Sequence, residues 1–499
     1  MQRIDADFLA LPLKACAETA INTATGLGAS HVDVRIERTR TGMINLRDSK
    51  LEGQADDTVL GIGVRVIVDG TWGFASSPFV ELSVAEQLAK NAVLMAKTSK
   101  PLSTEFVSLA EEPVYKDQVW VSSYEIDPFA LSSKERLELM IDYSNRLMNS
   151  DYVSHVAATT MYVKETKFYA DSRGTSTTQQ RVRVQGFFDA ISVGDHGFES
   201  MRTIAQPAGY GWEWMNGSVF DWDTELARLP ELLHEKTKAP SVEPGKYNLL
   251  IHPSNLFLTI HESIGHATEL DRAIGYEANY AGTSFATIDK LGNLKYGTPL
   301  MNVTGDRLVE HGLSTVGFDD EGVKAQQWDI IKDGVLVGYQ TDRRIAARIG
   351  LDRSFGCAFA DSPAHVPIQR MPNVSLQPDP NGPDLDTMIS EVEDGIYIVG
   401  DNSWSIDMQR YNFQFTGQQF HRIKNGKLVG QLKDVAYQAT TTDFWGSMTR
   451  VGGPSTYVLG GAFNCGKGQP GQVAAVSHGC PVAYFENINI LNTRSEAQG

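Results

Sequence analysis

The amino-acid sequence predicts an α+β protein, in which an N-terminal domain of antiparallel sheet and helices precedes a larger β-rich C-terminal domain. Three observations support this fold class. Near the N-terminus, apolar and polar residues alternate in several stretches. Two helix-start signals, at Ser83 and Ser132, lie among them. Beyond residue 247 the pattern is mostly that of strands, interrupted by one helix with the string His261-Glu-Ser-Ile-Gly-His266.

The first elements are predicted to be a helix and a β-hairpin. Residues 7–25 have the spacing of an amphipathic helix. His31–Glu37 and Ile62–Val68 alternate with the period of a half-buried strand. Asp69-Gly70 is a turn dipeptide that leads into Trp72-Gly-Phe-Ala75, so we expect an antiparallel hairpin there.

Two further helices and a second β region complete the N-terminal part. Ser83-x-x-Glu86 reads as a capping box that opens a helix through about Lys97. Ser132-x-x-Glu135 has the same form, and apolar residues then recur at helical spacing. Residues 153–193 return to the alternation of strands.

A domain boundary is predicted near residue 240. Segment 236–246 contains two prolines and shows no periodicity, which is typical of a linker. The chain therefore divides into residues 1–235 (with 1–125 and 126–235 as a finer division), the linker 236–246 and the β-rich domain 247–499.

One short repeat lies in the C-terminal part. Ile331-Lys-Asp-Gly-Val-Leu-Val-Gly338 matches Ile423-Lys-Asn-Gly-Lys-Leu-Val-Gly430 at six of eight positions. Asp-Gly and Asn-Gly favour the positive φ angles of type I′ hairpin turns. We favour two independent hairpins with the same turn chemistry over a duplicated half-domain.

Composition and charge exclude several classes of function. The formal net charge of −17 repels phosphate backbones and anionic membrane surfaces, so we expect no nucleic-acid partner and no membrane association. Four cysteines in 499 residues do not form a disulfide framework, which fits a reducing compartment. The chain has no apolar run long enough for a membrane helix, and its start does not resemble a signal peptide. We expect a cytoplasmic protein.

The string His261-Glu262-Ser-Ile-Gly-His266 is the strongest candidate for chemistry. Two imidazoles on one helix face can bind zinc, and the adjacent glutamate can activate a water molecule. The usual spacing of four places such histidines about 40° apart, whereas a spacing of five places them about 140° apart on a regular helix. A π-bulge would absorb the extra residue, and Gly265 is a suitable place for it.

The alternative is that the string arises by chance on an ordinary helix. The context argues against this, because an apolar helical turn leads into the string. Glu269 and Asp271 follow where hydrogen-bond partners could orient the histidines.

The stretch from His261 to Asp271 resembles the metal-binding helix of the TldD/PmbA metallopeptidase family, in its metal-bearing TldD branch. Further segments, between about residues 30 and 490, resemble motifs of this family in the same order: Gly61-Ile-Gly-Val-Arg-Val66 with Trp72-Gly-Phe-Ala75, Asp319-Asp-Glu-Gly322, Gly338-Tyr-Gln-Thr-Asp342, Ala364-His-Val-Pro-Ile-Gln-Arg-Met371 and Cys465-Gly-Lys-Gly-Gln469. The tail differs, since Val476-Ser-His-Gly-Cys-Pro481 stands where other TldD proteins have a Gly-Gln-Pro segment, which indicates a divergent subgroup.

The resemblance implies that Cys465 is the third metal ligand. A catalytic zinc takes three protein ligands and an open position, and thiolate is a good zinc ligand. Cys480 and its neighbour His478 remain alternatives to Cys465. Cys16, on the apolar side of a helix, is expected to serve in packing, and Cys357 carries no signal.

The function that the resemblance implies is a Zn²⁺-dependent peptidase that hydrolyses short or unfolded peptides, in protein turnover or peptide maturation. Glu262 would be the general base, and His365, Tyr339 and Arg370 are candidates for contacting the substrate or its oxyanion. The family also implies a peptide bound as an added strand, and a PmbA/TldE-type partner or a homodimer.

Two other functions compete with this one. A dipeptidyl-peptidase-III-like enzyme would need a longer, helical chain with a Glu-rich second motif. A metal-stabilised peptide-binding scaffold without catalysis remains the alternative, although such a site has no need of Glu262 beside its ligands.

Overall fold

The computed structural model describes residues 3–195 and 197–496 of the 499-residue chain. The α-helices are α1 Ala6–Leu9, α2 Leu13–Gly26, α3 Leu82–Ser99, α4 Ser133–Met148, α5 Trp222–Lys238, α6 Pro253–Ile260, α7 Leu270–Ala273, α8 Arg343–Arg348, α9 Leu385–Ser390, α10 Thr441–Gly446 and α11 Thr493–Glu496. No helix in the described residues is both long enough and apolar enough to cross a membrane.

The N-terminal strands form one seven-stranded sheet. They are β1 His31–Arg47, β2 Lys50–Val68, β3 Thr71–Ser77, β4 Gln118–Val121, β5 His155–Asp171, β6 Ser176–Gly194 and β7 Gly197–Arg202. The sheet order is β3-β2-β1-β5-β6-β4, β7 pairs with β6, and every pairing except that of β4 with β6 is antiparallel. Helices α2 and α3 pack over one apolar cluster of this sheet, and α4 and α5 over another.

The C-terminal strands form four separate sheets. They are β8 Gly245–Ile251, β9 Val303–Asp306, β10 Gln327–Lys332, β11 Val335–Leu336, β12 Ala358–Phe359, β13 Ile368–Gln369, β14 Asn373–Leu376, β15 Asp394–Ile406, β16 Asn412–Lys424, β17 Lys427–Leu432, β18 Val435–Thr440, β19 Met448–Val451, β20 Val458–Lys467, β21 Gln472–Cys480 and β22 Ala483–Asn492. A second seven-stranded sheet has the order β15-β8-β22-β18-β16-β17, with β19 paired to β22. The others have the orders β11-β10-β9-β14, β12-β13 and β20-β21. The α+β class is confirmed.

Several predicted elements are confirmed and two have different bounds. The Asp69-Gly70 hairpin turn and the capping box between Ser132 and Glu135 are present. The predicted helix 7–25 is wrong as one element, because the backbone breaks between α1 and α2 before Pro12, whose ring excludes a continuous helix. The predicted capping box at Ser83 is also wrong, since α3 begins at Leu82 and its cap, Glu81, makes no side-chain capping bond.

The predicted linker is shorter than 236–246. Helix α5 continues to Lys238 and β8 begins at Gly245, so regular structure enters the segment from both sides. Val242 also packs in the C-terminal core. Residues 239–244 are the part outside helices and strands.

The two repeated segments are hairpins in different sheets. Both turn pairs have the predicted positive φ angles: 47° and 77° at Asp333 and Gly334, and 47° and 72° at Asn425 and Gly426. One turn joins β10 to β11, and the other joins β16 to β17. This supports independent hairpins that share turn chemistry.

The carboxyl of Asp342 makes the stability of the folded chain depend on pH. It caps α8 by accepting a hydrogen bond from the Ile345 N–H at 2.7 Å, and burial together with the charge of Glu321 raises its pKa to about 7. The ordinary pKa of an aspartate is about 3.9, so the folded state raises the pKa of Asp342. The stability that this group contributes is therefore fully present below about pH 3.9 and is lost as the pH rises through about 7. The variant Asp342→Asn keeps a capping oxygen, and should flatten this decline of up to about 1.4 kcal/mol per pH unit.

Urea unfolding between about pH 4 and 8 would measure this effect. Asp384→Asn is the matched control, since exposed Asp384 caps α9 in the same way and its hydrogen bond from Thr387 lowers its pKa. This control should be less stable than the wild type by a nearly constant amount over this range, because the Asp384 carboxyl is ionised over most of it. Parallel stability curves for Asp342→Asn and the wild type would contradict the prediction.

Candidate metal centre

The helix that carries the histidines follows directly from the centre of the C-terminal sheet. Strand β8 lies between β15 and β22, and α6 begins just after it with Pro253 at its first turn. After Ile260 the chain continues as a π-helix, His261–Gly265. The predicted π-bulge is therefore confirmed. A Cβ at Gly265 would lie 2.5 Å from the Met371 sulfur, so a larger residue here would force the Met371 side chain to move.

Side chains from outside the helix satisfy the carbonyl groups of the π-helix. The amide Nε2 of Gln340 donates to the Gly265 carbonyl at 2.6 Å and to Thr268 Oγ1 at 2.9 Å. The Tyr296 hydroxyl donates to the Ser263 carbonyl at 2.5 Å. All of these groups are buried, so the irregular backbone is held by specific partners.

The structure brings His261, His266 and Cys465 together. One ligand atom from each lies within 4.8 Å of the others, and the Cys465 Sγ is 3.6 Å from His266 Nε2. Cys465 comes from β20, on a two-stranded sheet that packs against α6. All three side chains are buried. Two imidazoles and one thiolate are a donor set that suits zinc.

A second histidine fixes the tautomer of His261. His478 Nδ1 lies 2.8 Å from the Val374 carbonyl, which can only accept, so this nitrogen carries the proton. His478 Nε2 is then an acceptor, and His261 Nδ1 donates to it at 2.7 Å. The lone pair on His261 Nε2 is therefore free for a metal ion.

A carboxylate fixes the tautomer of His266 in the same way. Glu269 Oε2 accepts from His266 Nδ1 at 2.8 Å, and Glu269 Oε1 accepts from the Lys467 ammonium at 3.0 Å. The predicted partner role of Glu269 is confirmed. Asp271 instead accepts from Lys467 at 2.8 Å, so its predicted role beside the histidines is wrong. Lys467 thus ties the strand of Cys465 to the segment that follows His266.

The electrostatics favour the protonation states that a metal site needs. Burial lowers the pKa of His261, which keeps its imidazole neutral. Burial opposes ionisation of the Cys465 thiol, but the charges of His266 and Arg370 outweigh this and lower its pKa. Neutral imidazole and thiolate are the forms that bind metal.

Glu262 lies on the first turn of the π-helix and is buried. Its Oε2 accepts from a guanidinium nitrogen of Arg410 at 2.9 Å. Burial raises the pKa of this carboxyl, but the charges of His266 and His261, when these are protonated, and of Arg410 outweigh the effect and lower it. The carboxylate is therefore held ionised beside the three candidate ligands.

The three predicted substrate or oxyanion residues have other partners. The Tyr339 hydroxyl donates to the carbonyls of Ala286 and Thr287, both at 2.9 Å. The Arg370 guanidinium donates to the Cys465 carbonyl at 2.6 Å and so supports a ligand-bearing strand. His365 Nδ1 lies 2.6 Å from Asp361 and its ring is partly exposed. The Tyr339 hydroxyl is used by these two carbonyls, which does not fit its predicted oxyanion role. The Nε of Arg370 is buried without a hydrogen-bond partner among the described residues, so the oxyanion role of Arg370 stays a prediction.

The remaining cysteines lie outside the cluster of candidate ligands. Cys480 is buried with its Sγ 3.9 Å from the Pro253 carbonyl, and burial raises its pKa. Cys16 packs in the N-terminal core, as predicted. Cys357 is buried, and burial raises its pKa to about 12.

Sequence reasoning missed Arg410 and the true position of His478. Arg410 has φ 63°, a left-handed conformation that is uncommon for arginine, in the turn between β15 and β16. No local pattern connects it to Glu262, 148 residues earlier. His478 is an alternative ligand in the sequence, but in the structure it is hydrogen-bonded to the candidate ligand His261 and is not one of the three clustered residues.

Replacement of His478 should weaken metal binding without removing a ligand. In His478→Phe, His261 Nδ1–H loses its buried acceptor, and we expect zinc affinity to fall about 10–100-fold. His478→Gln should recover part of the loss, because its Oε1 can accept the same proton. Competition with a chromophoric chelator measures the affinity. The control is His421→Phe, which replaces a partly buried histidine that bonds Gln419 instead. Equal zinc affinities of the two phenylalanine variants would refute the role of His478.

Known proteins resemble this chain over almost its whole length. The profile of the PmbA/TldA metallopeptidase C-terminal domain matches residues 244–492, and that of PmbA/TldA metallopeptidase domain 1 matches residues 32–96. A metalloprotease of Methanocaldococcus jannaschii is 26% identical over 83% of this chain and 87% of the relative. A zinc metalloprotease TldD homolog of Saccharolobus solfataricus is 24% identical over 94% of this chain and 98% of the relative.

Solved structures share the fold. TldE from Thermococcus kodakarensis has a TM-score of 0.73 at 15% identity, covering 95% of this chain and 99% of that chain. A protein of Thermotoga maritima described as a modulator of a DNA gyrase has a TM-score of 0.76 at 16% identity, covering 96% of this chain and all of its own. From the profile matches and the named relatives, this chain belongs to the PmbA/TldD family of metallopeptidases.

Proposed function

We propose that this chain is a zinc-dependent peptidase that hydrolyses short or unfolded peptides, in protein turnover or peptide maturation. The observation that carries the proposal is the convergence of His261, His266 and Cys465 beside the buried carboxylate of Glu262. Metalloprotease relatives, one of them named a zinc metalloprotease, support it.

The residues present fit a zinc ion. His261 and His266 each have one ring nitrogen occupied by an acceptor, which leaves the other nitrogen for a metal, and Cys465 supplies a thiolate. When bound, zinc would supply a Lewis acid that polarises the peptide carbonyl and makes water a stronger acid. A thiolate reduces the net positive charge at the site, so a further group is needed to stabilise the oxyanion.

Glu262 and Arg410 are the two side chains that we assign to proton transfer and to stabilisation of the oxyanion. Glu262 takes a proton from the attacking water and delivers it to the amine that leaves. Arg410 keeps this carboxylate in place through one guanidinium nitrogen. Its Nε is buried and has no hydrogen-bond partner among the described residues, so it is available as a donor for the oxyanion. The Nε of Arg370 is in the same state and is the alternative donor.

Two features of the proposal concern the setting of the enzyme. We propose a PmbA/TldE-type partner, because the chain shares its fold with TldE, and a homodimer is the alternative assembly. Four free cysteines, one of them a candidate ligand, fit the reducing cytoplasm.

A metal-stabilised peptide-binding scaffold is the alternative function. It leaves the ion pair of Glu262 and Arg410 without a role.

Metal analysis and peptide cleavage, measured on the same preparation, test the function. We expect about one zinc per chain and cleavage of unstructured peptides that a chelator abolishes and added zinc restores. The assay is run on the chain alone and with a PmbA/TldE-type chain. Bound zinc without cleavage under both conditions would favour the scaffold.

Arg410→Gln should reduce the rate and leave the metal bound. Loss of one oxyanion donor costs about 100–1,000-fold in kcat, and KM should change little. A phosphonate peptide that mimics the tetrahedral intermediate should lose affinity in parallel, whereas an ordinary peptide should not. The control is Arg422→Gln, which removes an arginine of β16 that pairs with Asp394 of β15. Equal losses of both ligands would show that Arg410 acts on binding alone.

A further inference from the structure

A cavity of about 360 Å³ lies between the N-terminal hairpin and the C-terminal domain. Large apolar and aromatic side chains from both parts of the chain form its wall: Trp72, Phe74, Met95, Tyr276, Val366 and Ile368. Each of them is partly or largely exposed. Apolar side chains that converge on an open cavity of this size are typical of ligand sites.

A chain of hydrogen bonds joins the cavity wall to the candidate metal centre. Lys467 lines the cavity, and its ammonium donates to Glu269. Glu269 in turn accepts from His266. Two hydrogen bonds and the His266 ring therefore connect the cavity wall to a candidate ligand atom, and none of the three candidate ligands lines the cavity itself.

Most charges on the wall already have partners within the protein. Arg65 pairs with Glu321 at 3.0 Å, and Lys467 pairs with Asp271 at 2.8 Å and with Glu277 at 3.5 Å. A charged ligand would therefore be desolvated without a free counter-charge at these positions, which costs free energy. An uncharged group loses little on entry and gains from burial.

Arg344 extends the aromatic wall. Its guanidinium carbon lies 4.5 Å from the centre of the Tyr276 ring. This is a cation–π contact between two residues that both line the cavity, and a second aromatic ring packs well on such a surface. Asp342, with its pKa raised to about 7, lies nearby and disfavours an anionic ligand when ionised.

We propose that this cavity is a substrate subsite that accepts a large uncharged side chain, aromatic or branched aliphatic, from a residue close to the cleaved bond. This inference rests on the proposed peptidase function and gives that function a sequence preference. Its size suits one such side chain with part of the peptide backbone, since a ligand need not fill a cavity of about 360 Å³ completely.

Matched peptides test the preference. They differ only in one residue, which is phenylalanine, leucine, alanine or glutamate, at each position flanking the cleaved bond. At one position we expect kcat/KM to be about 10–100-fold higher for phenylalanine and leucine than for alanine, and lowest for glutamate. Equal rates at all positions would overturn the proposal, as would a preference for glutamate, which would instead identify Arg344 as a carboxylate site.

Two neighbouring residues of α3 provide the structural test. Met95 lines the cavity, whereas Leu94 is exposed but does not line it. Met95→Trp should fill the cavity and remove the preference for phenylalanine over alanine, with the zinc content unchanged. Leu94→Trp is the control and should keep the preference. A preference that survives Met95→Trp would place the subsite elsewhere.

A binding measurement separates this proposal from the proposed function. Glu262→Gln is combined with Met95→Trp, and fluorescence anisotropy of labelled phenylalanine and alanine peptides is measured without turnover. Tighter binding of the phenylalanine peptide that disappears with Met95→Trp supports the subsite even if the wild type proves inactive. Equal binding of the two peptides to the Glu262→Gln single variant would refute the subsite even if the wild type cleaves peptides.

Discussion

Replacement of Glu262 by glutamine is expected to abolish peptide hydrolysis and to leave the metal bound. Glutamine has the same shape but does not accept a proton, and general base catalysis contributes about 10²–10⁴-fold to the rate. The carboxylate is not among the three clustered ligand atoms, so zinc content should stay near one per chain. Arg410 would lose its anionic partner, and any small change in stability should come from there.

Cleavage rate and zinc content of the same preparation give the result. The matched control is Glu225→Gln, because Glu225 is also a mostly buried carboxyl and accepts a hydrogen bond from the Ile204 N–H, which glutamine can accept as well. It should keep full activity. If Glu262→Gln cleaves peptides at the wild-type rate, another group is the base; if it loses zinc, Glu262 is part of the ligand set.

The order of helices and strands was predictable, but the lengths of strands were not. The alternation in β1 marks His31–Glu37, whereas the strand continues to Arg47. Its second half has several half-exposed side chains and is held by backbone pairing with β2 on one side and β5 on the other. Backbone hydrogen bonds do not depend on side-chain periodicity, so the pattern alone ends the strand too early.

The local part of the candidate site was also predictable. His261, Glu262 and His266 lie on six consecutive residues, and their spacing of five required a π-bulge, which the structure contains. Family resemblance, not spacing, gave Cys465, which is 199 residues from His266. The sequence alone does not show which distant segments meet, because β20 and β21 form a separate two-stranded sheet.

The supporting residues of the site were the least predictable part. Arg410 and His478 act through single contacts that join segments far apart in the chain. Gln340 belongs to a segment, residues 338–342, that resembles a motif of the family. The structure gives a physical reason for a glutamine here, because its amide donates to the carbonyl of Gly265 at the end of the π-helix. Such roles depend on the folded geometry of the bulge and have no sequence period.

Replacement of Cys465 by serine is expected to remove most of the bound zinc. The variant loses the one thiolate of the cluster, and serine remains protonated at neutral pH and is a poor zinc ligand. Loss of a residue that hydrogen-bonds a ligand typically lowers zinc affinity about 10–100-fold, and loss of the ligand itself should lower it further. Since activity follows the metal, cleavage should be lost together with zinc and should return only in part at high zinc concentration.

Cobalt substitution separates the ligand role from a structural one. A thiolate bound to Co²⁺ gives a sulfur-to-metal charge-transfer band, which should be present in the wild type and absent in Cys465→Ser. Cys480→Ser is the matched control, because Cys480 is also buried and lies on β21, the strand paired with β20. That variant should keep the band, the zinc and the activity. If the band instead disappears with Cys480→Ser, the thiolate ligand is Cys480, and the geometry that joins Cys465 to His266 at 3.6 Å has another purpose.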